Sequence, residues 1–253
     1  MNEINFINFE REELKKPIFR VFSCCRFVET LANRELTLVK PKLWDDPFEN
    51  FILQSRFRFP EGTIIKLAAS EQLYGQCWSH TKESDAMWRI YAPNKDGVKV
   101  RATLTKLGNA LWASCVSQPE ISCFVGKVRY LSRLKLSDNL LAQLNVGNAL
   151  SDTSGREHAK SLLLKRGAFN HENEVRLIYY NRHEGYDEDV IHFPVNPVDV
   201  FDQVIFDPRM PVREYEKKRA MVVELGYPLE RIKRSGLYES PDLIFDVGQG
   251  SST

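Results

Sequence analysis

The chain lacks the patterns that usually announce a function. It has no C-x-x-C pair, no H-E-x-x-H, no G-x-S-x-G elbow and no run of apolar residues near bilayer length. The cysteines (Cys24, Cys25, Cys77, Cys115 and Cys123) are odd in number, and two are adjacent. That excludes a disulfide framework and the usual zinc spacings, so reduced thiols and a cytoplasmic protein are expected. The histidines (His80, His158, His171, His183 and His192) show no tight ligand spacing. No metal site is therefore expected. A membrane helix needs roughly 18 consecutive apolar residues, so no membrane partner is expected. The opening MNEINFINFEREELKK mixes charges and lacks the apolar core of a signal peptide. An excess of either sign of charge is missing too: the net charge is +1 and the pI about 7.6. Nothing in that balance demands nucleic acid or a membrane surface. Internal repeats, low-complexity blocks and Pro/Gly-rich linkers are also absent.

What is present suits a packed core. Of 253 residues, 43% are hydrophobic, and without linkers one domain is favoured over two. The expected fold is α+β: residues 1–238 as a single domain with a mixed, mostly antiparallel sheet and helices packed around it. Residues 1–16 are read as a polar lead-in and 239–253 as a disordered tail. Alternation and β-branched runs predict strands at 18–22, 36–39, 76–79, 97–103, 123–130, 173–181, 189–194 and 201–206, with a short one at Ile232. Helical spacing predicts helices at 24–34, 85–92, 104–116, 136–149, 155–166 and 212–225. Ser23 caps the first and Pro211 opens the last. Residues 41–49 read as an irregular loop, and 64–74 as helical pieces.

The stretch that carries most chemistry is Glu172-Asn173-Glu174-Val175-Arg176-Leu177-Ile178-Tyr179-Tyr180. On a strand, residues i and i+2 share a face, about 7 Å apart, so Glu172 and Glu174 would project side by side. Like charges that close are unfavourable unless a site uses them; the plain alternative is a solvated strand start. A same-face pair suits one carboxylate stabilising an oxocarbenium-like centre while the other deprotonates a nucleophile. It does not suit carboxylates on opposite faces of a sugar. Arg20 sits inside a short apolar strand, either snorkelling from an edge or forming a fork for phosphate or carboxylate. Trp44-Asp45-Asp46-Pro47-Phe48-Glu49 is a cation site or, more simply, turn chemistry. Cys77-Trp78-Ser79-His80 reads as a short buried strand at a site rim. Trp88 and Tyr91, three apart on a helix, are a core pair or a stacking platform.

Taken in order, F-R-V, W-D-D-P-F-E, C-W-S, M-W-R-I-Y-A with G-V-K-V, and F-N-H-E-N-E-V-R resemble a widespread bacterial family of unknown function. Its members carry a DPFE-like loop, a W-x-x-Y helix and an E-x-E-x-R strand. Val204 to Met210 fits its closing strand and turn, and the resemblance spans residues 18–235. A looser resemblance carries an activity. Arg on an early strand, Ser ending a middle strand and E-x-E opening a late strand is similar to the R-S-E order of ADP-ribosyltransferases. That resemblance implies a split-sheet fold and NAD as substrate, with Arg20 helping to hold it and Ser79 supporting the nicotinamide ribose. It makes Glu174 catalytic, Glu172 the auxiliary carboxylate, and Trp88 or Tyr91 a stacking partner for nicotinamide. Asp46, Glu49 and Arg176 become supporting residues. It further implies a macromolecular acceptor, protein or nucleic acid, and a bacterial toxin or phage-defence effector with an antitoxin or defence-system partner. The middle motif departs from the usual S-T-S. Two other readings stand beside this one. The first is a non-catalytic module that binds a nucleotide or a protein. The second is a metal-dependent nucleic-acid-processing enzyme built on Asp46, Glu49, Glu172 and Glu174, with basic patches at Lys217-Lys218-Arg219 and Arg231 to Arg234.

Overall fold

Short alternating runs form strands here because one face of each has a helix or loop to bury against. The computed structural model describes residues 5–243 apart from 47, 50, 60, 67, 132–151 and 184–185. In chain order the strands are β1 (Phe6–Ile7), β2 (Pro17–Ser23), β3 (Glu35–Val39), β4 (Arg56–Arg58), β5 (Ile64–Lys66), β6 (Leu73–Ser79) and β7 (Gly97–Thr103). There follow β8 (Ile121–Lys127), β9 (Arg129–Leu131), β10 (Leu164–Arg166), β11 (Glu174–Asn181), β12 (Val190–Pro194), β13 (Gln203–Phe206) and β14 (Ile232–Arg234). The main sheet runs β1-β8-β11-β6-β2-β7-β13-β14, with β3 against β6 and β12 against β3. Its pairings are antiparallel except β1 with β8 and β13 with β14. The fold is therefore mixed α+β with a mostly antiparallel sheet, as expected.

The sheet is split in its middle. β2 pairs with β7 from Pro17↔Thr103 to Ser23↔Gly97, and β6 with β11 from Leu73↔Tyr180 to Glu174↔Ser79. Among the described residues β2 and β6 pair only at Phe19↔Ser79. Beyond that point β3 takes over the edge of β6, at Val39↔Gly75. Two half-sheets thus diverge from one shared pair, leaving backbone groups of β6 uncovered.

Each face of the sheet has its own core. On one, Val98, Val100, Val175 and Leu177 pack with Phe27, Leu31, Leu107 and Leu111 of the helices Cys24–Asn33 and Leu104–Ala113. Ser23 accepts from the Arg26 N–H and Thr103 from the Lys106 N–H, satisfying the first turns of these helices. On the other face Leu73, Ile178 and Tyr180 meet Leu162, Leu163 and Phe124. No helix among the described residues is long and apolar enough to cross a membrane.

Several expected elements differ. The helix 155–166 stops at Ser161, because Leu162 and Leu163 leave helical spacing to fill the smaller core. The chain then becomes β10, parallel to β9. Residues 64–74 are not helical pieces: β4 and β5 form a hairpin turned at Gly62, φ +92°, and Ala68–Glu71 is a 3-10 turn. Such a φ favours glycine and closes a tight turn. The span 123–130 breaks into β8 and β9. β2 is a central strand, so Arg20 does not snorkel from an edge. The expected helix 136–149 and residues 244–253 of the expected tail lie outside the described residues.

Candidate active site

A cleft of about 450 Å³ opens over the split. Arg20 of β2 lines one bank, and Cys77 and Ser79 of β6 the other. Tyr91 ends the helix Asp85–Tyr91, while Asp46 and Glu49 come from the DPFE loop. Lys165, Glu172 and Glu174 close the end. The register explains why residues far apart in sequence meet. Glu174 stands opposite Ser79 in the β11–β6 pair, and Ser79 opposite Phe19, the residue before Arg20. Neighbouring strands are about 4.8 Å apart, so these three positions span two strand spacings.

Arg20 fills the wedge between the half-sheets. One guanidinium nitrogen donates to the Cys77 carbonyl that β2 leaves unpaired, and the guanidinium lies 5.1 Å from the Phe22 ring centre. Its Nε has no hydrogen-bond partner among the described residues. Burial lowers its pKa, yet an arginine remains charged. The result is a cation with donors to spare in a low-dielectric slot.

Ser79, at the edge of the cleft, ties two segments together. Its hydroxyl donates to the Glu172 carbonyl and accepts from the Thr81 N–H at 2.8 Å. It therefore holds the turn that aims both glutamates. That turn also corrects the expected geometry. Glu172 ends the 3-10 segment Gly167–Glu172, Asn173 takes φ 44°, and β11 begins only at Glu174. The two carboxylates are not strand neighbours i and i+2; they converge on a third residue.

That residue is Lys165. Its Nζ lies 2.8 Å from Glu49 and 3.1 Å from Glu174, and it donates to Glu172. Arg176, fully buried, donates to both oxygens of Glu174 at 3.0 and 2.9 Å and to Glu49 at 2.8 Å. It also caps the Leu162 carbonyl and lies 4.5 Å from the Trp44 ring centre. Three carboxylates thus share two cations. Burial pushes Glu174 up, but Arg176 and then Lys165 outweigh it and hold the carboxyl down at about 2. For Glu49 burial wins over Arg176, and its pKa is raised. Burial lowers the pKa of Lys165, but the surrounding carboxylates, Glu174 first, reverse that and raise it.

The aromatic pair divides its work. Trp88 is 1% exposed, with its indole N–H donating to Glu83 at 2.8 Å and Lys99 5.5 Å from its ring centre. Tyr91 keeps 42% of its surface exposed and donates its hydroxyl to Glu172 Oε1 at 2.8 Å. Asp46 stands outside the cluster. Its Oδ1 accepts from Arg166 and from the Phe48 N–H, each at 3.0 Å, the expected Asx chemistry. Its Oδ2 has no hydrogen-bond partner among the described residues.

Lys165 is the functional candidate that sequence reasoning missed. It sits in Leu162-Leu163-Leu164-Lys165-Arg166, read as the end of a helix. A lysine entering a core behind three leucines was the available signal. Its ammonium occupies the point between Glu49, Glu172 and Glu174 that a metal would need. Among the described residues no group of three or more His, Cys, Asp or Glu side chains is arranged to hold a metal ion.

The family described as "Protein of unknown function (DUF2971)" matches residues 87–177, a span that includes Tyr91, Lys165, Glu172, Glu174 and Arg176. Among curated proteins nothing matches. Among the solved structures that resemble the chain at low identity are three of Thermus sp. 2.9 DarT. The complex with ADP-ribosylated ssDNA is 11% identical, with 87% of this chain and 94% of that chain covered, at a TM-score of 0.41. The complex with NAD+ is 10% identical, covering 87% and 96%, at 0.37. The complex with carba-NAD+ is 11% identical, covering 89% and 96%, also at 0.37. Likenesses this distant carry nothing about activity.

Proposed function

We propose that this chain is an ADP-ribosyltransferase-like enzyme that cleaves NAD at the bond between nicotinamide and ribose. One observation carries the reading: Arg20 and Glu174 line the same cleft of about 450 Å³, which opens at a split in a mostly antiparallel sheet. A volume of a few hundred Å³ is typical of small-molecule sites. The open donors of Arg20 suit the pyrophosphate oxygens. The exposed Tyr91 ring suits stacking on nicotinamide. Glu174 keeps its negative charge in a nearly dry setting, where it opposes the positive charge that grows on the anomeric carbon as nicotinamide leaves. Both its oxygens are already bonded, but a carboxylate has about four lone-pair sites, so a ribose hydroxyl still finds an acceptor. Glu172, which also lines the cleft, is the base for the incoming nucleophile.

The engagement of both Glu174 oxygens favours one rival, a module that binds a nucleotide without turning it over. Nicotinamide release from NAD separates the two. Wild-type protein should release it, and Glu174→Gln should release about 10²- to 10³-fold less, while NAD still raises the variant's melting temperature. Equal turnover in the variant would end the proposal. Thermal stabilisation by NAD with no release by wild type would establish the binding module.

A further inference from the structure

The hydroxyl of Tyr91 is placed more specifically than a stacking ring requires. It donates to Glu172 Oε1 at 2.8 Å, within the cleft, and the residue is 42% exposed although its helix neighbour Trp88 is buried. Glu172 is in turn held by two further groups. Lys165 binds its other oxygen, and Ser79 holds its carbonyl. A nucleophile on a base, with the base oriented by a third group, is the arrangement that activates hydroxyl nucleophiles. Tyrosine is a competent nucleophile at an anomeric carbon. The reacting centre is close: Lys165 Nζ bridges Glu172 to Glu174 at 3.1 Å, so the phenol oxygen and the carboxylate assigned to the ribosyl cation belong to one chain of contacts.

We propose that Tyr91 is itself an acceptor, so that the protein ADP-ribosylates its own Tyr91 hydroxyl with Glu172 as the base. The inference rests on the NAD-cleaving reading above and adds an acceptor to it. In the step, the phenol oxygen bonds to C1 of the nicotinamide ribose. The bond from C1 to the pyridinium nitrogen breaks, its electron pair stays on that nitrogen, and nicotinamide departs neutral. The phenolic proton passes to the Glu172 carboxylate. Burial and the Glu172 charge raise the Tyr91 pKa, so the phenol holds its proton until attack and needs that base. The product is an aryl glycoside that blocks the cleft mouth, so the modification limits turnover by the molecule that carries it.

The experiment is incubation of the full chain with NAD, nicotinamide measured in parallel, and peptide mapping by mass spectrometry before and after neutral hydroxylamine. One ADP-ribosyl unit should appear on the peptide containing Tyr91 and survive hydroxylamine, which removes carboxylate esters. The adduct should be absent from Tyr91→Phe. In Glu172→Gln it should form about 10²-fold more slowly, with NAD still raising that variant's melting temperature. Nicotinamide release with no adduct on Tyr91, or with only a hydroxylamine-labile one on a carboxylate, overturns the self-modification and leaves NAD cleavage standing. No nicotinamide release overturns both.

Discussion

Lys165 Nζ lies 3.1 Å from Glu174 Oε2, and both side chains are almost entirely buried. A lone buried charge is costly, and a well-bonded pair offsets that cost only when its remaining lone pairs and protons are also satisfied. Here most of them are: Lys165 spends its donors on three carboxylates, and Arg176 bonds both oxygens of Glu174. The cluster joins the DPFE loop, β10 and β11 at the end of the cleft.

Removing the shared cation should be severe. Lys165→Met keeps the stem and leaves Glu49, Glu172 and Glu174 facing one another with Arg176 alone. The expected loss is about 3–5 kcal/mol of unfolding free energy. Urea denaturation measures it; a loss below about 1 kcal/mol would mean the cluster behaves as a solvated surface network.

The acid limb of stability should carry the signature of Glu174. Its carboxyl titrates near 2 when folded against an ordinary value of 4.5. A depressed folded pKa stabilises above the unfolded value, and that contribution is lost as pH falls from about 4.5 towards 2. Glu49 works in the opposite sense. Its raised pKa favours the folded state at low pH, and that contribution fades as pH rises through the folded value. Glu174→Gln should therefore flatten the fall in denaturation midpoint between pH 4.5 and 2. Parallel curves for variant and wild type would contradict the pairing.

Gly75 should resist even a methyl group. A Cβ there would lie 2.5 Å from Cζ2 of Trp44, the ring that covers Arg176. Gly75→Ala is expected to cost about 1–3 kcal/mol through overpacking. It should also weaken the stabilisation by NAD, since Trp44 lines the cleft. A melting temperature equal to wild type, with and without NAD, would show that the loop yields freely.

Much of this was legible in the linear chain. The order Arg20, Ser79, Glu174 pointed to a split sheet with those residues beside it, and alternation located β7 and β11 closely. Lys165 was hidden for a local reason. A three-residue strand has too little length to show its period, and Arg156 to Ser161 just before it is helical. The i, i+2 rule misplaced Glu172 because it assumes extended backbone, whereas Asn173 adopts a left-handed conformation at φ 44°. Ser79 was recognisable as a strand-end hydroxyl, but its partner, a carbonyl 93 residues away, was not.

Local pattern, then, determined the mixed α+β class, most strand positions, and the set of charged residues too costly to bury without a purpose. Those follow from side-chain period and desolvation, which act over a few residues. Tertiary structure alone decided that β2 and β6 part after a single pair, that Lys165 bridges three glutamates, and that Tyr91 rests its hydroxyl on Glu172. Each depends on which strands pair and on contacts between separate elements of the chain, and side-chain period within one segment does not say which other segment it will meet.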